Sequence, residues 1–368
     1  MKIRVVFIAA VLGLAACTTA PKRVASVNPR VSVMTMNVEN LFDLQDDPIK
    51  NDESFLPIEK KRTEHVRNKC YYQNSSDYRQ QECLNADWSE AVLERKFKRL
   101  TDVLKQVNNG RGPDILILQE VENRPVLEMW RDGYLQAMNY QTISHLEGAD
   151  ERGIDTAVMS RLPMVGEPTL HEIDQSKVPG ADLSDIRQTR GILETHLRMP
   201  NGDEMAVLSV HFPSQGAPTE NRKYASERLL EVANALPAGM PVIVGGDFNI
   251  TSTEDWKHHY YRDIMEQRFA VSHHIGCEGC PGTTYYHKDR TWSFFDVLLF
   301  SKDMIGRGSW VVDTSSIRIP KDSIYQINRY GSPAKFGNGY GTVGVTDHFP
   351  MYAELELNKT LVSSGDKK

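Results

Sequence analysis

The chain has 368 residues, with 43 Lys and Arg against 49 Asp and Glu, a formal charge of −6 and 40% hydrophobic residues. That composition excludes a disordered tail protein and a collagen-like fibre. The slight acidity argues against a general nucleic-acid coat, which needs many cations to neutralise phosphate, although a local basic groove is compatible with it.

The first residues read as an address. Lys2 and Arg4 precede an apolar or small-residue run over 5–16, and Leu14-Ala15-Ala16-Cys17 closes it. The run is too short to span a bilayer permanently. It resembles the lipobox of bacterial lipoproteins, which implies a signal peptide over 1–16, lipidation of Cys17 and a polar tether over 17–30. The alternative is an ordinary secretory signal cleaved nearby. Either implies an exported protein, and the lipoprotein reading places it at the cell envelope, anchored to a membrane. Thr18 after the cysteine fits the outer membrane under the enteric sorting rule.

With no repeat and no low-complexity linker, residues 31–357 read as one large domain, followed by a polar tail over 358–368. Short runs rich in branched residues predict strands at 31–36, 114–118, 156–160, 191–196, 206–210, 242–244, 295–300 and 350–357. A helix is expected over 89–107, where Leu93, Phe97, Leu100, Leu104 and Val107 recur at helical spacing while Glu94, Arg95, Lys96 and Lys98 face away. A second is expected over 220–236, with Pro237 and Gly239 past its end. Residues 44–88 and 314–344 lack sustained periodicity and are expected as long surface insertions that shape access to a site.

Besides Cys17 there are four cysteines, Cys70 and Cys83 in one polar stretch and Cys277 and Cys280 in another. In an oxidising compartment this favours two local disulfides. The alternative at the second pair is a zinc site drawing on His273, His274 and His287, but no second C-x-x-C accompanies it.

Polar groups recur at the ends of apolar strands: Asn37, Glu120, His211, Asp247 with Asn249, and Asp347 with His348. Alone, an Asn or Asp after a strand is a turn former, and a lone histidine an ordinary packed residue. Side by side, these ends would bring two amides, three carboxylates and two imidazoles to one sheet edge. Such a set suits a hard, oxygen-preferring metal and a phosphate, the chemistry of metal-assisted phosphoester hydrolysis.

The ordered series Asn37-Val-Glu-Asn-Leu-Phe-Asp, Leu-Gln-Glu120-Val, Arg152-Gly-Ile-Asp155, Arg190, His211-Phe-Pro-Ser, Gly-Gly-Asp247-Phe-Asn249, Trp292-Ser-Phe-Phe-Asp296 and Thr-Asp347-His348-Phe-Pro resembles the endonuclease/exonuclease/phosphatase superfamily, with the DNase I-like fold. The resemblance implies an α+β protein, a four-layer α/β/β/α sandwich with its site at one edge of the paired sheets. It implies Glu120 as chief Mg²⁺ ligand, with Asn37 beside it and Asp347 acting directly or through water, and with Mn²⁺ or Ca²⁺ as alternatives. Asp247 would be the general base. His348 would contact the phosphoryl oxygen, with Asp296 holding its far nitrogen, while His211 and Asn249 grip the phosphate. Arg190 and Asp155 are further phosphate contacts, and Arg152 with Asp155 could instead form a structural ion pair.

The shared groups identify phosphoester hydrolysis rather than its substrate. A nuclease acting on DNA, and on RNA as well, is favoured, because Lys60, Lys61, Arg62, Arg67, Lys69, Arg79, Lys321 and Arg329 in the insertions could follow a phosphate backbone. A phosphomonoesterase or a sphingomyelinase-like or phospholipase-like esterase is the alternative, favoured if the loops around 321–340 are apolar and membrane-facing. A non-catalytic binding lipoprotein is a third reading, which the intact set of polar groups opposes. Nucleic acid and a membrane are the expected partners, and no feature marks a protein partner.

Overall fold

The computed structural model describes residues 29–74, 76–183, 188–337 and 344–358. The expected signal, Cys17, most of the tether and the tail beyond Asn358 lie outside the described residues. Among the described residues, no helix is long and apolar enough to cross a membrane.

Two six-stranded sheets carry the chain. The first has the order β13-β14-β1-β2-β4-β3, from β1 (Arg30–Leu41), β2 (Ile115–Val121), β3 (Thr142–His145), β4 (Asp155–Ser160), β13 (Trp310–Arg318) and β14 (Met351–Leu357). The second has the order β5-β6-β7-β8-β12-β9, from β5 (Thr169–His171), β6 (Ile192–Arg198), β7 (Glu204–His211), β8 (Val242–Asp247), β9 (Phe269–Val271) and β12 (Asp296–Ser301). A hairpin of β10 (Thr284–Tyr286) and β11 (Thr291–Ser293) stands apart.

The layers follow from side-chain alternation. On β1, Val31 and Val33 face the second sheet, joining Ile115, Ile117, Met205, Val207, Ile243, Leu298 and Phe300 in one apolar layer. Met34, Met36 and Val38 face the other way, against Leu93, Phe97, Leu100 and Trp130 of helices α3 (Glu90–Leu104) and α4 (Arg124–Tyr134). Across the molecule, Leu208, Val210, Val242, Val244, Val297 and Leu299 pack on Ala225, Leu229 and Val232 of helix α5 (Thr219–Ala235). The result is the expected four-layer arrangement. The two sheets meet so closely that a Cβ on Gly245 would stand 2.5 Å from Ile117 Cδ1 and 3.2 Å from Thr35 Cβ.

The structure departs from the sequence reading in four places. Residues 44–88 fold into helices α1 (Glu64–Gln73) and α2 (Asp77–Asn85), which bury little beyond Val66, Cys70 and Cys83 and so show no apolar stripe. The start of the 314–344 stretch is strand β13. Strands of three or four residues and helix α4 were not anticipated. Lys96 does not face solvent: it is fully buried, because it falls between Leu93 and Leu100 on the inward stripe of α3, and its ammonium donates to Glu39 O and Val345 O. Both disulfides form, Cys70 with Cys83 and Cys277 with Cys280 at Cα separations of 5.6 and 5.4 Å, which removes the thiolates a zinc site would need.

Candidate active site

The parity that builds the core also aims the site. On β8 the residues facing the first sheet are Ile243, Gly245 and therefore Asp247; on β7 they are Met205, Val207, Ser209 and His211; on β12 they are Phe300, Leu298 and Asp296. Strand register sets His211 and Asp296 on either side of Asp247. On β1 the same count runs Val31, Val33, Thr35 to Asn37. Polar residues thus replace apolar ones in the last row of the inter-sheet layer, where the core opens.

Glu120 breaks this pattern. Alternation would send it with Leu116 and Leu118 toward the helices. Its backbone instead has φ 64°, and Glu39 and Asn40 opposite have φ 51° and 61°, left-handed values that non-glycine residues seldom adopt. Oε1 of Glu120 accepts from Asn37 Nδ2 at 3.3 Å and Oε2 from Asn40 N at 3.0 Å. Strain of this kind persists where the surroundings hold it, and it is concentrated at functional sites.

Asp247 is the hub. Its Oδ2 accepts from Asn37 Nδ2 at 3.0 Å and its Oδ1 from Asn249 N at 2.8 Å. Nε2 of His211 lies 3.5 Å and Nε2 of His348 3.9 Å from Oδ2. Burial, with Asp296 adding to it, pushes the Asp247 carboxyl up to about 7, against the opposing pull of His348. His348 donates from Nδ1 to Asp296 Oδ2 at 2.7 Å, and Asp296 is itself fully buried, with Oδ1 accepting from Asn37 N at 3.2 Å. Burial opposes a charge on His348, but Asp296 and Asp247 outweigh it and raise its pKa well above the ordinary histidine range. His211 goes the other way. Burial, then Arg190, Arg152 and His348, hold it well below that range, and its Nδ1 has no hydrogen-bond partner. The site therefore pairs a neutral imidazole with a charged one across a single carboxylate.

Arg190 is buried with Nε 3.1 Å from Asp150 Oδ2, and Arg152 pairs with the same carboxylate, Nε to Oδ1 at 3.3 Å. The Arg152 to Asp155 pair is not formed. Asp155 is 1% exposed, accepts from Gly148 N at 2.9 Å and faces His145 Nε2 at 3.6 Å. It braces the turn that carries Asp150 and does not reach the open site. The phosphate-backbone expectation also narrows. Lys61 is buried and donates to Ser54 O, Cys83 O and Ala86 O, Lys69 pairs with Glu53, and Lys60 donates to Leu44 O. Arg62, Arg67, Arg79 and Arg329 remain exposed.

Several residues escaped the sequence reading. Thr346 donates to Asn37 O and accepts from His348 N, and Thr283 accepts from Asp296 N, so two hydroxyls tie the loops at the site to the strand ends β1 and β12. Glu39 is buried over Lys96 and accepts from Phe336 N and Gly337 N. Burial and Asp347 push it up to about 7. These groups carry no motif, since their partners are remote in sequence.

The expected metal donors are all oxygens. Glu120 keeps one hydrogen bond per carboxylate oxygen, and the Asp347 side chain is 45% exposed, so each offers the hard oxygen donor that a Mg²⁺-like ion takes. Asn37 stands beside Glu120 as expected: its amide links Glu120 to Asp247, and its Oδ1 accepts from Glu39 N at 2.9 Å.

Residues 84–348 match the family described as Endonuclease/Exonuclease/phosphatase family. The chain belongs to that family. Enzymes of the family are hydrolases of phosphoester bonds and generally depend on a divalent metal. No curated protein matches this family member. Among solved structures, an endonuclease/exonuclease/phosphatase family protein of Bacteroides thetaiotaomicron is 15% identical, with TM-score 0.53 and coverage of 90% of this chain and 99% of that one. A humanized D. rerio TDP2 is 14% identical, with TM-score 0.52 and coverage of 89% and 99%. A mannosyl-6-phosphatase of Bacteroides thetaiotaomicron is 15% identical, with TM-score 0.51 and coverage of 88% and 99%. At these identities the likeness is one of fold.

Proposed function

We propose that this chain is a metal-dependent phosphodiester hydrolase that cuts nucleic acid internally, tethered to the cell envelope through Cys17. The observation that carries the chemistry is the buried Asp247 held between His211, His348 and Asn37. A carboxyl raised to about 7 is poised as a base near neutral pH, and Asn37 Nδ2 with Asn249 N fixes its orientation. Asp247 takes a proton from the water that attacks phosphorus. Charged His348, its ring fixed by Asp296, donates to the phosphoryl oxygen from Nε2. Glu120 and Asp347 would hold a divalent ion, which would supply neutralisation of the charge that develops on the phosphoester oxygens. Arg190 and Arg152, clamped by Asp150, set the positive potential on the flank beyond His211.

A polymeric substrate is supported by the walls. A cleft of about 1300 Å³ runs past Asn40, Arg79, Arg152 and Arg190. On the other flank, the β10 to β11 hairpin carries Tyr285, Trp292 and exposed Tyr286 beside Phe349, and Arg329 stacks on exposed Tyr330, surfaces suited to bases and phosphates. One of the similar structures is a D. rerio TDP2 complexed with single strand DNA product. A phospholipid-directed esterase is the second reading, favoured by Ile324, 83% exposed, beside Ile327 and Tyr330.

The test is supercoiled plasmid with Mg²⁺, beside an Asp247→Asn control. Metal-dependent nicking that the control lacks supports the proposal. Intact plasmid together with Asp247-dependent release of phosphate or phosphocholine from other esters would replace nuclease with the second reading.

A further inference from the structure

A second group of carboxylates lies where the 44–88 insertion leaves β1. Asp46, Asp52 and Glu53 each bring an oxygen within 4.8 Å of the others, the one group of three metal-ligating side chains so placed among the described residues. Asp52 and Glu53 are each 1% exposed. Asp52 Oδ2 accepts from Asp47 N at 3.0 Å, but Asp46 Oδ1, Asp52 Oδ1 and Glu53 Oε2 are buried without a hydrogen-bond partner.

The surroundings do not neutralise this charge. Lys69 pairs with Glu53 and also donates to Lys50 O at 3.0 Å. Behind the group stand more acids: Glu122 is 6% exposed and accepts from Asp43 N at 2.6 Å. Buried carboxylates at this density are costly without a counter-charge.

We propose that Asp46, Asp52 and Glu53 bind a structural Ca²⁺, at a site separate from Glu120. Ca²⁺ is the cation of choice because it accepts several carboxylates in irregular geometry and fills its shell with carbonyls and water, whereas Mg²⁺ takes one or two carboxylates and demands an octahedron. The ion would pin the insertion to the sheet edge, since Asp43 N binds Glu122 just beyond Glu120, and Asn51 N binds Glu151 O at 2.8 Å beside Arg152. It would thereby fix the cleft wall formed by Asn51, Glu53, Ser54 and Phe55. This inference is independent of the proposed activity.

The test is thermal unfolding of the chelator-stripped full chain, titrated with Ca²⁺, for the unaltered protein, Asp52→Asn/Glu53→Gln and Glu120→Gln. Ca²⁺ should raise the Tm of the unaltered protein and of Glu120→Gln, and leave Asp52→Asn/Glu53→Gln unmoved. The double variant should melt no lower than the stripped unaltered protein, because its amides relieve repulsion. A second measurement, Ca²⁺ binding by calorimetry to the less buried Asp46→Asn, should show at least about tenfold weaker affinity. No Ca²⁺ shift in the unaltered protein, an equal shift in the double variant, undiminished affinity in Asp46→Asn, or loss of the shift in Glu120→Gln would each overturn the site.

Discussion

Two groups of buried carboxylates sit near the same end of β1 and β2, and their charge is met in opposite ways. Around Asp247 and Asp296 the protein supplies its own partners: an imidazole 2.7 Å from Asp296, an amide shared between Asp247 and Glu120, and backbone N–H groups on both sides. Around Asp46, Asp52 and Glu53 it supplies one lysine and leaves three buried oxygens bare. The first group is a hydrogen-bonded network whose charge is met from within the protein. The second is a charge deficit that an external cation would complete. Carboxylates gather at both places, so their number does not distinguish the two roles; the polarity of their neighbours does.

The largest test of this contrast falls on the first group. Asp247→Asn should lower kcat for ester hydrolysis on the order of 10³-fold with little change in Tm, since shape is kept and the proton acceptor is lost. Unchanged turnover would remove Asp247 from the role of base. Asp296→Asn should cost roughly 10- to 100-fold, because His348 then loses the partner that fixes its ring and favours its charge. An NMR titration of His348 in that variant should show its pKa fall toward the ordinary histidine value.

A pH profile sharpens the same point. With Asp247 raised to about 7, the base is protonated below that pH, so kcat/KM should fall about tenfold per unit as pH drops through it and be insensitive to this group above it. A profile flat from pH 5 to 8 would break the assignment. The smallest expected effect falls on the insertion. Cys70→Ser/Cys83→Ser opens a 13-residue link beside Lys69 and should destabilise by about 2 to 3 kcal/mol in denaturant unfolding. If the two carboxylate groups are independent, turnover at saturating substrate should stay within about twofold of the unaltered protein.

Much of the candidate site was legible in the sequence because strand parity is local. Once β1, β7, β8 and β12 are recognised as strands, counting by twos from their apolar residues carries Asn37, His211, Asp247 and Asp296 to the face between the sheets. Lys96 shows the same logic missed: spacing on α3 places it on the buried stripe, and only its charge argued otherwise. The partners of Asp155 were not legible, because Gly148 lies in a loop whose course no periodicity fixes and His145 ends the four-residue strand β3.

The sequence by itself determined the family, two of the helices that cover the sheets, the local disulfide pairs and the row of polar residues at the strand ends, since each rests on short-range pattern or an ordered motif. Only the tertiary structure decided that Asn37 bridges two acids, that Arg190 and Arg152 share Asp150, and that Glu120 turns against its strand's alternation. It also decided that three acids of a polar insertion converge at one largely buried place. Those outcomes depend on register between strands, sheet separation and burial, quantities that arise when distant segments pack and that no single stretch of chain encodes.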